Sequence, residues 1–179
     1  MSNPSLASVG TKPAAGYAGN DLTPDLPTHS FQNESATAID SGIPVVRGTA
    51  TSSTNGIETC KPMAADTDEV LGISLRGNLK DVAQDSQSAT FARYETVPVK
   101  VEGRVQVLIA EDVRGGDEVL IITAGAQAAA TAWGSSKGGV IGSGRVALTG
   151  WKYCGNGTYT AGSLVEIEGH SASRGRITT

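Results

Sequence analysis

The stretch Val97-Pro98-Val99-Lys100-Val101-Glu102-Gly103-Arg104-Val105-Gln106-Val107-Leu108-Ile109 decides the fold class. Val97, Val99 and Val101 alternate with Pro98, Lys100 and Glu102; Val105, Val107 and Ile109 alternate with Gln106 and Leu108. A period of two puts every apolar side chain on one face of an extended chain, so these are half-buried strands, not helix. Gly103-Arg104 separates the runs. Either Glu102-Gly103 closes a hairpin, or Gly103 is a bulge within one long bent strand.

The same texture extends in both directions. Ile43-Pro44-Val45-Val46-Arg47-Gly48 is a short strand whose early proline is tolerable at a sheet edge. Residues 69–75 form another, with Leu71, Ile73 and Leu75 on one face. Gly115-Gly116-Asp117 is a turn into a strand over 118–123, which is apolar on both faces and expected to be buried on both sides. Alanines over 124–132 favour helix by propensity. Gly125 at the start, Trp133-Gly134 at the end and the lack of a polar face at period 3.6 make a strand of small residues the preferred reading. The glycine-rich 138–144 segment is a hairpin tip leading into Arg145-Val146-Ala147-Leu148. The last strand, 163–168, points Val165 and Ile167 inward and Glu166 and Glu168 outward. Residues 78–88 are a loop or a single helical turn. About eight or nine short strands without a long helix make an all-β protein, a jelly-roll-like sandwich or a small β-barrel.

Composition sets the outer limits. The chain has 179 residues, enough for one ordinary domain and a tail. With 39% hydrophobic and 18% charged residues it is neither disordered throughout nor membrane-like. Runs such as Val119-Leu120-Ile121-Ile122 are far too short to cross a bilayer. A net charge of −4 argues against nucleic acid as a partner. The 23 glycines follow no period of three, which excludes collagen. Aromatic residues are 4%, so the core is expected to be thin and built from Val, Ile, Leu and Ala.

Three regions follow. Residues 1–35 form an extended N-terminal arm, with Pro4, Pro13, Pro24 and Pro27 interleaved with Gly10, Gly16 and Gly19. Its apolar residues occur singly and bury too little surface to offset their ordering entropy, so the arm is either a floppy terminus or, the preferred expectation, a segment that lies on a neighbour. Tyr17, Leu22, Leu26 and Phe31 are its candidate anchors, and Gly16 and Gly19 permit close backbone approach. Residues 36–170 form the β domain, and 171–179 a polar tail. Removing residues 1–32 is therefore expected to leave a soluble β domain.

No catalytic, cofactor or metal constellation emerges. Gly142-Ser143-Gly144 lacks the spacing of a Gly-x-Ser-x-Gly nucleophile elbow. His29 and His170 fall outside the expected core. Cys60 and Cys154 are too few for a thiolate metal site. MSNPSLASVG has neither a basic start nor an apolar segment, so a reducing cytoplasm and free thiols are expected. Asp66, Asp68 and Glu69 make an acidic turn of the kind usually solvated. The 138–144 glycines lack both GxGxxG spacing and a Gly-Lys-Ser/Thr. Asn33-Glu34-Ser35 and Asn156-Gly157-Thr158 fit the glycosylation pattern but lack a secretory context. What stands out instead is contact: an arm, a β body and an acidic, Ser/Thr-rich surface.

The order of motifs carries a resemblance. Ala14-Ala15-Gly16-Tyr17-Ala18-Gly19, then Asn33-Glu34-Ser35-Ala36 with Ile39, then Gly42-Ile43-Pro44-Val45-Val46-Arg47-Gly48, resembles the opening of the structural cement proteins of tailed-phage capsids. Leu71-Gly72-Ile73, the paired valine runs, Gly116-Asp117-Glu118-Val119 and Ala161-Gly162-Ser163-Leu164-Val165-Glu166-Ile167 continue it over residues 14–168. Arg47, the 134–156 region and the tail after Gly169 depart from the pattern. The resemblance implies a non-catalytic head decoration protein without cofactor or membrane partner. It implies binding to the major capsid protein on the outside of an icosahedral head assembled in the host cytoplasm, and self-association with a dimer favoured over a trimer. A carbohydrate-binding β-sandwich is the main rival, with Trp133, Trp151, Tyr153 and Tyr159 as its aromatic platform. A small hydrolase is the third.

Overall fold

The computed structural model describes residues 28–49, 56–76, 90–123, 132–135 and 144–169. Expectations for the arm before Thr28, the 78–88 loop, the small-residue strand over 124–131, the hairpin tip over 138–143 and the tail lie outside the described residues. In chain order the strands are β1 (Thr28–Asn33), β2 (Ile39–Asp40), β3 (Pro44–Arg47), β4 (Thr59–Pro62), β5 (Val70–Ser74), β6 (Thr90–Phe91) and β7 (Thr96–Lys100). Then come β8 (Gly103–Leu108), β9 (Val113–Arg114), β10 (Glu118–Ile122), β11 (Ala132–Ser135), β12 (Arg145–Tyr153), β13 (Thr158–Tyr159) and β14 (Leu164–Gly169). The described residues contain no helix, as the alternating pattern requires.

The first half closes into a small barrel, β1-β4-β3-β5-β7, in which β7 returns to pair antiparallel with β1. The second half is a five-stranded sheet, β11-β10-β12-β14-β8, with two short ribbons, β13-β9 and β2-β6, completing the set. The sheet's rim strands approach each other through a parallel bridge between Ile109 and Trp133, reinforced by the Ala110 amide donating to the Trp133 carbonyl at 3.0 Å.

Two cores result. Phe31, Ile39, Val45, Cys60, Phe91, Val97 and Val99 fill the barrel. A larger cluster lies between the barrel's outer wall and the sheet, joining Val46, Val70, Ile73 and Leu75 to Val105, Val107, Val119, Ile121 and Val165. Adjacent residues Val45 and Val46 therefore serve opposite cores, which is why Ile43-Pro44-Val45-Val46 does not alternate.

The valine runs do not form a hairpin. β7 pairs with β1 and β5 in the barrel, whereas β8 pairs with β14 in the sheet. The chain passes straight from one layer to the other across Val101 and Glu102, and Gly103 takes a φ of +94° that a side chain would resist. Val105, Val107 and Ile109 are buried and Leu108 is exposed, as the period predicts. Lys100, expected on the outward face, is buried at the crossing, where it is paired with Thr28 and Ile73.

Other expectations shift. β3 is an interior barrel strand rather than an edge, and Pro44 is accommodated as its first residue. Leu71 does not share a face with Ile73 and Leu75. The register with β3 slips between Val45/Gly72 and Val46/Val70, so Leu71 is the extra residue of a bulge and packs on the barrel core. Gly72 beside it lies where a Cβ would strike the Lys100 carbonyl, so β5 and β7 can close only around glycine. Trp133 and Gly134, read as the end of a segment, lie within β11. β10 is buried on both faces and β14 points Val165 and Ile167 inward, as expected. The core is valine-rich, but Phe31, Phe91, Trp133, Trp151 and Tyr153 are buried in it, while Ala147 alone represents alanine among its described residues.

The layers are joined by more than apolar contact. The Trp133 indole Nε1–H in β11 donates to the Gly42 carbonyl before β3 at 2.8 Å, and both groups are buried. Trp133→Phe leaves that carbonyl without its donor, and a loss of about 1–3 kcal/mol in urea unfolding is expected. A midpoint unchanged from the parent protein would show that this bond does not tie the layers.

Candidate functional site

Among the six anchor candidates, Tyr17, Leu22, Leu26, Gly16 and Gly19 lie outside the described residues. Phe31 is in β1, within the stretch assigned to the arm, and the residue is 4% exposed. β1 turns Phe31 and Asn33 inward, so the ring fills this chain's own barrel and is not presented to a neighbour. Removing residues 1–32 would therefore open the barrel; a cut after residue 26 spares β1.

Asn33 has the same structural character. Its buried Nδ2 donates to the Thr37 and Phe91 carbonyls and its Oδ1 accepts from the Ser35 amide, so its place in a glycosylation pattern is incidental. In the acidic turn, Asp68 Oδ2 accepts from the Ala64 and Ala65 amides. Among the described residues no three His, Cys, Asp or Glu side chains are grouped to hold a metal ion. Both cysteines are free. Burial, reinforced by Glu34, pushes the Cys60 thiol up to about 12, and burial with Glu166 raises Cys154 to about 11. Both are neutral thiols at physiological pH, without the thiolate that nucleophilic chemistry needs.

Among the described residues, the exposed turn at Tyr94 is held by several hydrogen bonds. Tyr94 is 62% exposed and adopts a φ of +69°, the one positive φ outside glycine among the described residues. It is the third residue of the turn Ala92-Arg93-Tyr94-Glu95, a position that favours glycine or asparagine. A bulky side chain there costs about 1–2 kcal/mol. The turn is clamped from several sides. Glu95 N–H donates to the Ala92 carbonyl at 3.1 Å, and Glu95 Oε2 accepts from the Ala92 amide at 2.6 Å. β1 supplies the base: the Asn33 carbonyl accepts from the Tyr94 amide at 2.7 Å, and Gln32 Nε2 donates to the Tyr94 carbonyl at 2.9 Å. The Arg93 guanidinium stands 4.7 Å over the Tyr94 ring, within cation–π range. Sequence reasoning passed over Tyr94, because no local motif announces a positive φ at tyrosine.

A groove of about 480 Å³ opens between the layers. Leu71, Val101, Leu148 and Trp151 line it together with the polar His29, Arg47, Glu58 and Glu69. Arg47 and Glu58 pair at 2.9 Å across exposed surface, a contact worth little in water.

A polar brace supports the far side of the sheet. Glu111 accepts from Arg145 through both oxygens, at 2.8 and 2.9 Å, and its Oε1 also accepts from the Ser135 amide. Ser135 Oγ donates to Asp117, and the buried Tyr153 hydroxyl donates to the Gly134 carbonyl. β11 is thus tied by side-chain hydrogen bonds to the 111–117 segment and, across β10, to Tyr153 of β12. The Arg145 hydrogen bonds hold the Glu111 carboxyl below its ordinary range against the opposing effect of burial. A carboxyl lowered in the folded state stabilises above its unfolded pKa and loses that contribution as pH falls through the folded value. Glu111→Gln is therefore expected to cost about 1–3 kcal/mol at pH 7, with the gap to the parent closing below about pH 4. Urea midpoints measured from pH 7 to pH 3 test this, and a gap that stays constant with pH would rule it out.

The described surface thus carries a two-layer body, an exposed tyrosine on a clamped turn and a groove between the layers. No curated protein matches the chain. The model of the phage structural cement proteins (E217 gp24/Pam3 gp6) matches residues 6–169, which span both layers and all fourteen described strands. The chain therefore belongs to the phage structural cement protein family, whose role is in the virion capsid.

Proposed function

We propose that this protein binds the outer surface of an icosahedral phage head and clamps neighbouring major capsid protein subunits against the pressure of packaged DNA, without catalysis. The observation that carries the reading is the family match over residues 6–169. The net charge of −4 favours the outside of the shell, since an acidic protein is repelled by packaged phosphate.

A pressurised shell fails at its seams. A clamp with two points of attachment resists this, because release of one leaves the other holding at high effective concentration. The 27 residues before β1 would span about 90 Å if fully extended, enough to reach across a neighbouring subunit. Such a segment docks by adding a strand to an exposed sheet edge, with Tyr17, Leu22 or Leu26 seated in pockets and Gly16 and Gly19 allowing close approach. We read the working unit as a dimer, since two-fold pairing is the commonest closed symmetry and gives each unit two arms. The rival carbohydrate-binding reading needs an exposed aromatic platform, and burial of Trp133, Trp151 and Tyr153 in the core weighs against it.

Cosedimentation with heads that lack the protein tests the proposal. Deleting residues 1–26 should leave a folded β body and weaken attachment by at least about 100-fold, the loss expected when one arm of a two-point contact is removed. A truncated protein that binds as tightly as the full chain would sink the arm as a strap. Tyr17→Ala should weaken attachment more than Lys12→Ala; equal effects would remove Tyr17 from the anchor role.

A further inference from the structure

We propose that the Arg93-Tyr94 turn is a second capsid contact: Tyr94 seats in an apolar pocket of the major capsid protein, and Arg93 pairs with acidic groups at the rim of that pocket. The inference rests on the capsid-binding reading above and adds to it a contact on the folded body, separate from the arm.

Four observations converge. Tyr94 holds a backbone conformation that glycine would adopt at no steric cost, so stability alone does not account for tyrosine there. The residue is 62% exposed, in a protein that buries both phenylalanines and both tryptophans. The turn is anchored to β1 through Asn33 and Gln32, and Asn33 is itself fixed by hydrogen bonds to Thr37, Phe91 and Ser35. The ring is thus presented on a rigid base, and little freedom remains to be lost on binding. Aromatic side chains of this kind, with arginine, are the commonest anchors of protein interfaces.

Charge identifies the partner surface. The carboxylate within the turn, Glu95, already accepts from the Ala92 amide, whereas Arg93 sits over the exposed ring. The tip therefore presents an aromatic and a cation together on a protein whose net charge is −4. That combination fits an apolar recess with a carboxylate rim, and it places an attraction for acidic groups on a protein of net negative charge.

The test uses the full chain and heads that lack it. Tyr94→Gly removes the ring and relieves the backbone. We expect a thermal midpoint equal to or above the parent's, with affinity for heads at least about tenfold weaker. Tyr94→Phe should bind within about threefold of the parent, and Arg93→Gln should weaken binding and flatten its salt dependence. Parent-like affinity of Tyr94→Gly would overturn the inference while leaving the capsid-binding reading intact. Weakened binding accompanied by loss of self-association in light scattering would overturn it in favour of a contact between copies. A parent protein that does not bind heads at all would end the capsid-binding reading and this inference with it.

Discussion

The fold depends on a wall that packs against a hydrophobic core on each side. β3 and β5 face the barrel interior with Val45 and Leu71 and the sheet with Val46, Val70 and Ile73. A chain with 39% hydrophobic residues and few aromatics gains most burial when one strand serves two cores. The bulge at Leu71 makes this possible, because one extra residue redirects a side chain that strict alternation would send to the other core. Gly72 then lets the wall close against β7, and closure of the barrel follows. The Trp133–Gly42 hydrogen bond fixes the position of the sheet against the wall by a directional contact that apolar packing alone does not provide.

Much of this was legible in the sequence, and the gaps have physical causes. The valine runs, the doubly buried 118–122 strand and the alternation of Val165 and Ile167 with two glutamates were readable, because period and burial are local properties. The pairing of β7 with β1, more than sixty residues apart, was not, because nothing in an alternating run names its partner. Hence a hairpin stayed open as a reading where the chain in fact changes layers at Gly103. Phe31 was misplaced for a related reason: the proline-rich stretch before it has the texture of an arm, and six residues of ladder, Thr28–Asn33, carry little signal of their own. Trp133, Trp151 and Tyr153 were weighed as a binding platform, and only the packing of the layers distinguishes an interior aromatic from a displayed one.

The contact surface was the least legible part. The leading reading placed the contact at Tyr17 and Phe31 and its rival at rings late in the chain, whereas the strongly exposed ring among the described residues is Tyr94. Its significance lies in a dihedral angle and in clamping hydrogen bonds from β1, neither of which has a sequence signature. By contrast, Asp68 was legible as part of an acidic turn, and the structure engages its carboxylate with the Ala64 and Ala65 amides.

The closed barrel has a further consequence. Open sheets present rows of unpaired amides and carbonyls on which further chains can stack, the route to fibres. Here five strands leave no such row, and the rims of the other sheet meet at Ile109 and Trp133. A second chain therefore finds no barrel edge on which to add a strand, and contact through this layer has to be made by side chains.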